Sequence, residues 1–157
     1  MKKAGMRSLA RLAAVQALYQ QEHQHLSIDD TLEEFLSYRF GTPVLDDEEA
    51  HGGDKVFLVE LIKGVATEAK RIDALISASL TREWTLDRLD PVLRAILRAG
   101  ICELLIFEET PVRVILNEYI ELTKAFFEGK EPFFVNGLLH KVAITLQQDL
   151  PKEKGAL

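Results

Sequence analysis

Helical periodicity runs through almost all of this 157-residue chain, and it constrains the fold more than any other feature. Apolar residues recur at intervals of three and four, whereas the strict alternation typical of strands is almost absent. Three prolines stand where a helix would begin: Asp90-Pro91, Thr110-Pro111 and Glu131-Pro132. Proline loses no hydrogen bond at the first helical position, and Asp or Thr before it can accept from unpaired backbone N–H groups. The sequence therefore predicts an all-α protein.

Local signals also place the helix boundaries. The first helix is expected at about residues 7–25, and Ser27 caps a second helix with Asp30 as its capping-box partner. Asp54 can cap a third helix, which Gly64 weakens in its middle, so this region is interpreted as two helices end to end. Three further helices are expected at about residues 91–107, 111–127 and 132–148. The prediction is a compact bundle of about seven helices, whose short connections favour antiparallel neighbours.

One domain spanning residues 1–157 is expected, with a basic arm at 1–6 and a flexible tail at 149–157. The acidic loop 46–49 is interpreted as facing solvent. No apolar run is long enough to span a membrane, so no membrane partner is expected. Cys102 is the single cysteine, so no disulfide forms within the chain, and a reducing, cytoplasmic location is the expectation.

Charge is distributed unevenly along the chain. The formal net charge is −6, yet the first 21 residues contain four cations and no acid. These cations are Lys2, Lys3, Arg7 and Arg11. The last three are four apart, so on a helix they form one stripe, which can bind phosphates and steer an anionic partner. A solvated, frayed N-terminus is the alternative interpretation.

No motif for catalysis or for metal binding is present in the sequence. It has no glycine-rich phosphate loop, no HExxH pair and no cysteine cluster. His23 and His25 are two apart on a helix and so diverge. Cys102 lies in an apolar context and is interpreted as a small core residue. Nothing assembles a nucleophile, a base and an oxyanion site, so we expect a binding protein rather than an enzyme.

Four stretches carry a resemblance to a known family, in order and with compatible spacings. They are ARLAAVQALYQ (10–20), LDPVLRAILRAGICELL (89–105), TPVRVILNEYIELTKAF (110–126) and FVNG (134–137). Together they resemble the NusB family, the bacterial transcription antitermination factor B, over roughly residues 7–146. The resemblance implies a NusB-like RNA-binding domain with two packed helical subdomains, without catalysis and without a cofactor.

The resemblance also implies a function. With NusE, a ribosomal protein of the small subunit, such a protein binds boxA RNA of nascent transcripts, mainly from ribosomal RNA operons. Within the RNA polymerase antitermination complex it suppresses transcription termination. An apolar surface reserved for a partner could also support a homodimer. Two alternatives stay open: an accessory RNA-binding domain of a ribosomal RNA cytosine methyltransferase, and a scaffold that acts through protein contacts alone. The end of the chain at Leu157, without a catalytic domain, favours the stand-alone factor.

Seven residues are candidates for RNA binding. They are Lys2, Lys3, Arg7 and Arg11 at the basic N-terminus, and Phe126, Lys130 and Phe134, which the resemblance implies. Aromatic rings can stack unpaired bases, whereas the cations bind phosphates. Phe127 and Phe133 adjoin two of these rings. Because neighbours on a helix point about 100° apart, each pair is expected to give one core ring and one more exposed ring.

The remaining candidates concern the protein partner and two structural polar residues, Asn117 and Asn136. Tyr19 matches the family tyrosine that contacts NusE, and Leu93 falls where some members carry an acidic residue at that interface. Asn136 precedes Gly137 inside an apolar helix, where burial at roughly 1.5–3 kcal/mol per large side chain outweighs about 1 kcal/mol for glycine. We expect Asn136 to be a partly buried hinge, bonded to Asn117 or to a nearby backbone group, and Gly137 to admit a neighbouring backbone.

Overall fold

The computed structural model describes residues 3–40 and 54–146. Lys2, the acidic loop 46–49 and the tail 149–157 lie outside the described residues, and so does the side chain of Lys3. Seven α-helices occur in the described ranges: α1 (Lys3–Gln24), α2 (Ile28–Phe40), α3 (Lys55–Thr67), α4 (Ala69–Ser79), α5 (Pro91–Ile106), α6 (Val112–Phe126) and α7 (Glu131–Thr145). A 3-10 turn at Leu86–Arg88 precedes α5. No strand occurs in these ranges, which confirms the all-α prediction.

The chain divides into two compact helical units, Met1–Thr67 and Glu68–Leu157. In the first unit, α1, α2 and α3 all pack against one another. The buried face of α1 is built largely of alanine, whereas α3 contributes large side chains. The alanines are Ala10, Ala13, Ala14 and Ala17, and the large residues are Phe57, Leu58, Leu61 and Ile62. Small side chains on one helix let the large ones of the other fill the space between them.

In the second unit, α5 is the central helix and contacts α4, α6 and α7. Its position depends on Gly100, where an added methyl group would lie 3.1 Å from a Leu139 methyl carbon and 3.4 Å from the Tyr119 ring. A side chain at this position would push the neighbouring helices outward. Gly100 therefore permits the close packing of α6 and α7 against α5.

Three polar side chains at the centre of the second unit, Glu103, Tyr119 and Thr123, are hydrogen-bonded. Glu103 is fully buried on α5, and the Tyr119 hydroxyl donates to its Oε1 at 2.7 Å. The hydroxyl of Thr123 donates to the Tyr119 carbonyl at 2.6 Å. Beside them, burial raises the pKa of the Cys102 thiol to about 12, with Glu103 and then Glu68 adding to the effect. Cys102 is thus a buried, protonated thiol, as expected for a core residue rather than a nucleophile.

Three of the predicted helix caps are confirmed. Ser27 Oγ accepts from the Asp30 N–H at 3.0 Å, and Asp54 Oδ1 accepts from the Phe57 N–H at 2.9 Å. Asp90 Oδ1 accepts from the Val92 N–H at 2.8 Å. In each case the capping residue and its partner are two or three residues apart, so the interaction is local.

Three details of the predicted boundaries are wrong. The first helix begins at Lys3 and not at about residue 7, so residues 3–6 of the expected arm belong to α1. The break between α3 and α4 comes at Glu68, not at Gly64. Thr110 does not cap α6, because Pro111 itself is the N-cap and no side chain bonds to the free N–H groups there. The backbone N–H of Thr110 instead donates to the Phe107 carbonyl at 3.1 Å, which makes Thr110 part of the preceding turn.

Candidate nucleic-acid interface

The second unit exposes three large aromatic side chains near one end of α7. The exposed fractions are 54% for Trp84, 79% for Phe133 and 36% for Phe134. The core-facing side of α7 consists of Val135, Leu138, Leu139 and Val142. At about 100° per residue, Phe134 lies at the flank of that side and Phe133 lies opposite it. Exposed aromatic side chains in such a group mark a binding surface rather than scattered apolar residues.

Two open grooves adjoin these rings. The first, here the Lys130 groove, has a volume of about 500 Å³ and is lined by Trp84, Leu89, Leu93, Lys130, Glu131 and Phe134. The second, here the Lys141 groove, has a volume of about 490 Å³. It is lined by Ser79, Leu80, Thr81, Trp84, Phe133, Phe134, Gly137, Leu138 and Lys141. Trp84 and Phe134 line both grooves and therefore form the wall between them.

The Lys130 groove brings together three residues that the sequence singled out separately. Lys130 and Phe134 are expected RNA contacts, and Leu93 is an expected NusE contact. Leu93 is buried on α5, so it contributes apolar lining to the groove and not an exposed anchor. Phe126 ends α6 with 39% of its surface exposed, and it lines neither of the two grooves.

We expected one buried and one exposed ring in each of the pairs Phe126–Phe127 and Phe133–Phe134, but neither pair contains a fully buried ring. Phe126 is exposed and Phe127 is half-buried, so the first pair shows only the expected difference between its two rings. In the second pair both Phe133 and Phe134 are exposed. The reason is that Val135, one residue later, already lies at the centre of the buried side of α7.

Trp84 was missed by the sequence reasoning, although it is the only tryptophan in the chain and stands in a polar segment between two helices. A turn fixes its position: the Trp84 N–H donates to the Thr81 carbonyl at 3.1 Å, and Arg88 Nη1 donates to the Glu83 carbonyl at 3.0 Å. Buried Arg94 anchors the other end of the segment through Nη1, which donates to the carbonyls of Leu86 and Leu89 at 2.9 Å each.

The basic stripe on α1 faces inward. The guanidinium carbons of Arg7 and Arg11 lie 4.5 Å and 5.2 Å from the centre of the Phe57 ring. Arg7 Nε also lies 3.6 Å from Asp54 Oδ2, and only 3% of Arg11 is exposed. Arg7 and Arg11 share one face of α1, as expected, but at Arg11 this face of the helix packs against α3. Arg11 is therefore buried and does not offer an exposed cation to a phosphate, whereas Arg7 is half-buried.

Replacing Arg11 with alanine is expected to destabilise the protein by about 1–2 kcal/mol, because the cation over Phe57 is desolvated. Urea unfolding measures the effect. The matched control is Lys63→Ala, which removes an exposed cation from α3 and is expected to stay within about 0.5 kcal/mol of the unchanged protein. Equal stability of the two variants would contradict a structural role for Arg11. A test of RNA binding at this stripe is accordingly better made at Arg7 alone.

Tyr19, the other expected NusE contact, lies on α1 in the first unit. Its ring is exposed and stacks on His23, with ring centres 5.7 Å apart and an interplanar angle of 8°. A tyrosine held flat in this way presents its hydroxyl at low entropic cost, which suits an anchor for a protein partner.

The expectation that Asn136 is a partly buried hinge bonded to Asn117 is wrong. Asn117 and Asn136 are both exposed, and among the described residues no hydrogen bond joins their side chains. Val135 and Leu138 lie on the buried side of α7, whereas Asn136 lies on the exposed side. Gly137 admits no neighbouring backbone, since a methyl group there would meet nothing within 4 Å. It borders the Lys141 groove instead.

Within residues 3–40 and 54–146, no three histidine, cysteine, aspartate or glutamate side chains are grouped so that they could hold a metal ion. None of the helices described is long and apolar enough to cross a membrane.

Two helical units, one of which carries an open surface of aromatic and cationic side chains, define an all-α binding protein. The chain belongs to the NusB family, which its sequence matches over residues 8–144. Its curated relatives include the transcription antitermination protein NusB of Sphingopyxis alaskensis, 44% identical over 141 residues, 90% of this chain and 94% of the relative. The NusB of Caulobacter vibrioides is 44% identical over 137 residues, 87% of this chain and 91% of the relative.

Solved structures show the same fold. NusB of T. maritima is 34% identical and superposes with a TM-score of 0.74, covering 96% of this chain and 97% of that one. A NusB chain from a complex of the antitermination factors NusB and NusE with double-stranded RNA gives a TM-score of 0.74. That chain is 22% identical, with coverage of 89% and 97%, so this likeness is one of fold alone. The family predicted from the sequence is confirmed.

Proposed function

We propose that this chain is a transcription antitermination factor that, together with NusE, binds boxA RNA of nascent ribosomal RNA operon transcripts. In this role it acts in the cytoplasm within the RNA polymerase antitermination complex and helps the polymerase resist termination. Curated relatives 44% identical carry the antitermination name, which favours this role over an accessory domain of a methyltransferase. The function is one of binding, with no catalytic step.

The observation that carries the RNA assignment is the Lys130 groove. It combines a half-exposed ring of Phe134, the exposed indole of Trp84 and the ammonium group of Lys130. Unpaired RNA is recognised by this combination, because every base has a face that stacks on an aromatic ring and every nucleotide brings a phosphate. Phe126 would add a further ring in the second unit, and Arg7 would add a cation in the first.

Glu131 adds a means of reading base edges in the same groove. Its Oε1 is buried and has no hydrogen-bond partner among the described residues. On turning toward the groove that Glu131 lines, this carboxylate would accept from an exocyclic amino group of a base, such as N4 of cytosine. The groove would then distinguish bases that carry an amino group from uracil, while Lys130 binds the backbone.

For the protein partner, Tyr19 supplies the exposed anchor and Leu93 supplies apolar lining. Where some family members carry an acidic residue, Leu93 brings no charge to the second unit, so any contact with NusE made there would depend more on apolar burial. The apolar lining that Leu93 provides would also serve self-association when NusE is absent, and a homodimer would then compete with both NusE and RNA.

The function is tested by measuring RNA binding with the cognate NusE at several salt concentrations. We expect the pair to prefer boxA over a scrambled RNA of the same composition, and the affinity to fall as salt rises, because phosphate contacts release counterions. Co-purification of the two proteins checks the partner directly. Equal affinity for boxA and for the scrambled RNA, with NusE bound, would refute the proposal.

A further inference from the structure

We propose that the Lys141 groove is a second nucleotide subsite, in which an unpaired base of the bound RNA stacks against Trp84 and Phe133 while Lys141 binds its phosphate. The inference rests on the proposed RNA-binding function and lengthens the RNA path beyond Phe126, Lys130 and Phe134. The sequence pattern indicated neither Trp84 nor Lys141, and it indicated Phe133 only as the neighbour of Phe134.

The geometry of α7 creates one wall of this subsite. Phe133, Gly137 and Lys141 are four apart and therefore lie on one face of the helix, opposite the buried side. Along the helix, the aromatic ring of Phe133 comes first, the empty space beside Gly137 second and the ammonium group of Lys141 third. The volume of about 490 Å³ falls within the range of sites that hold small ligands, and the groove is open, so a polymer can pass through it.

The gap in the middle of the face comes from Gly137. A methyl group at this position would meet no atom within 4 Å, so the space beside it is empty. Neither helix packing nor a positive φ requires glycine here, since α7 is regular through this position. The absence of a side chain leaves room for a flat ring between Trp84 and α7, which explains glycine at this position without any packing constraint.

Charge favours an anionic occupant. Lys141 is the only charged side chain among the residues that line the groove. The Lys130 groove, in contrast, pairs its lysine with Glu131. A cation beside exposed rings, without a carboxylate, complements a phosphate next to a planar base better than it complements an apolar helix of a protein.

Trp84 and α7 are both held rigidly before any ligand arrives. The turn that carries Trp84 is closed by its own N–H to Thr81 and is anchored at its far end by Arg94. The first turn of α7 is closed by the N–H groups of Phe133 and Phe134, which both donate to the Lys130 carbonyl at 3.0 Å and 3.2 Å. A preformed stacking site loses less conformational entropy on binding than a mobile one.

The fluorescence of Trp84, the one tryptophan of the chain, reports on both grooves, since its indole lines each of them. The Gly137→Leu variant assigns a change to the Lys141 groove. Titration of the full chain with a single-stranded boxA oligonucleotide is expected to quench this fluorescence, since a stacked base lies on the indole face. The quench should saturate at the same RNA concentration as binding measured by an independent method. Saturated binding with unchanged Trp84 emission would overturn the inference.

Two substitutions separate the subsite from the rest of the surface. Gly137→Leu fills the groove with a good helix former and is expected to lower boxA affinity about tenfold and to remove the quench. Lys141→Gln is expected to reduce the salt slope of binding by about one. The matched control is Lys70→Gln, which removes an exposed lysine from α4 outside both grooves and should leave affinity unchanged. Thermal unfolding of Gly137→Leu serves as the control for folding, and we expect the variant to remain folded.

The outcomes keep the two proposals apart. If the wild-type chain binds no boxA RNA with NusE, both proposals fail. If it binds boxA normally while Gly137→Leu binds as well as the wild type, the subsite fails and the function stands. If Lys70→Gln lowers the salt slope as much as Lys141→Gln, then Lys141 contributes only to the general positive charge and makes no specific phosphate contact, and the subsite fails. A Trp84 change on adding NusE alone, lost in Gly137→Leu, would assign the Lys141 groove to the protein partner and overturn the subsite.

Discussion

Alanine in place of Phe134 is expected to weaken boxA binding about ten- to hundredfold, because stacking on an aromatic ring contributes roughly 1–3 kcal/mol per base. The effect is expected to be among the largest on this surface, since Phe134, like Trp84, lines both grooves. Fluorescence anisotropy of a labelled boxA oligonucleotide, with NusE at saturation, measures the loss.

Three further variants separate stacking from packing. Phe134→Tyr keeps an aromatic face and should bind nearly normally, whereas Phe134→Leu keeps apolar volume without the face and should bind about as weakly as alanine. Ile144→Ala truncates another exposed apolar side chain of α7, outside both grooves, and should have no effect on affinity. Normal binding by Phe134→Leu would show that the ring acts only by filling space.

The second large effect is expected at Arg94. Replacing it with methionine keeps the length of the side chain but removes two hydrogen bonds from a buried cation to the carbonyls of Leu86 and Leu89. Hydrogen bonds to charged groups contribute about 1.5–3 kcal/mol each, so the free energy of unfolding should fall by roughly 3 kcal/mol. For a chain of this length the melting temperature should then drop by about 6–12 °C.

Arg113→Met is the matched control, since Arg113 is exposed on α6 and its loss should leave stability within about 0.5 kcal/mol of the wild type. The Arg94 variant should also bind boxA more weakly at temperatures where it remains folded, because the turn that holds Trp84 is released. A variant as stable as Arg113→Met would disprove the anchoring role of Arg94.

The sequence predicted those features of the fold that depend on near neighbours. Ser27, Asp54 and Asp90 were identified as caps, because the bond that each makes reaches only two or three residues along the chain. Thr110 has an equally suitable side chain, yet the turn before α6 uses its backbone and displaces it from the cap position. Composition alone does not show which of two consecutive residues, Thr110 or Pro111, ends the loop.

Periodicity predicted which residues share a helix face but not the direction of that face. Arg7 and Arg11 share one, and only the packing of α1 on α3 reveals that the aromatic ring of Phe57 covers it. On α7 the same ambiguity concerned Asn136 and Phe134. Both border the buried stripe in sequence, and the rotation of the helix about its axis decides how far each of the two meets solvent.

The aromatic surface was only half predicted. Phe134 and Lys130 were named because they lie within a recognisable family pattern, whereas Trp84 stands in a polar loop far from them in the sequence. Its place beside Phe134 results from a turn that Arg94 holds from inside the core. The two residues are far apart along the chain and line the same groove, and no local pattern encodes a contact of this kind.

The helix α7 has a consequence for how this protein responds to its ligand. One side of α7 closes the hydrophobic interior of the second unit, and its other side forms the wall of both grooves. RNA bound in those grooves would make its contacts only while α7 is packed against the rest of the unit. Because the RNA would bind the folded state and not the unfolded state, its binding would raise the free energy of unfolding. The cell would therefore hold its most heat-resistant copies on nascent RNA, and unengaged copies would be the ones most exposed to proteolysis.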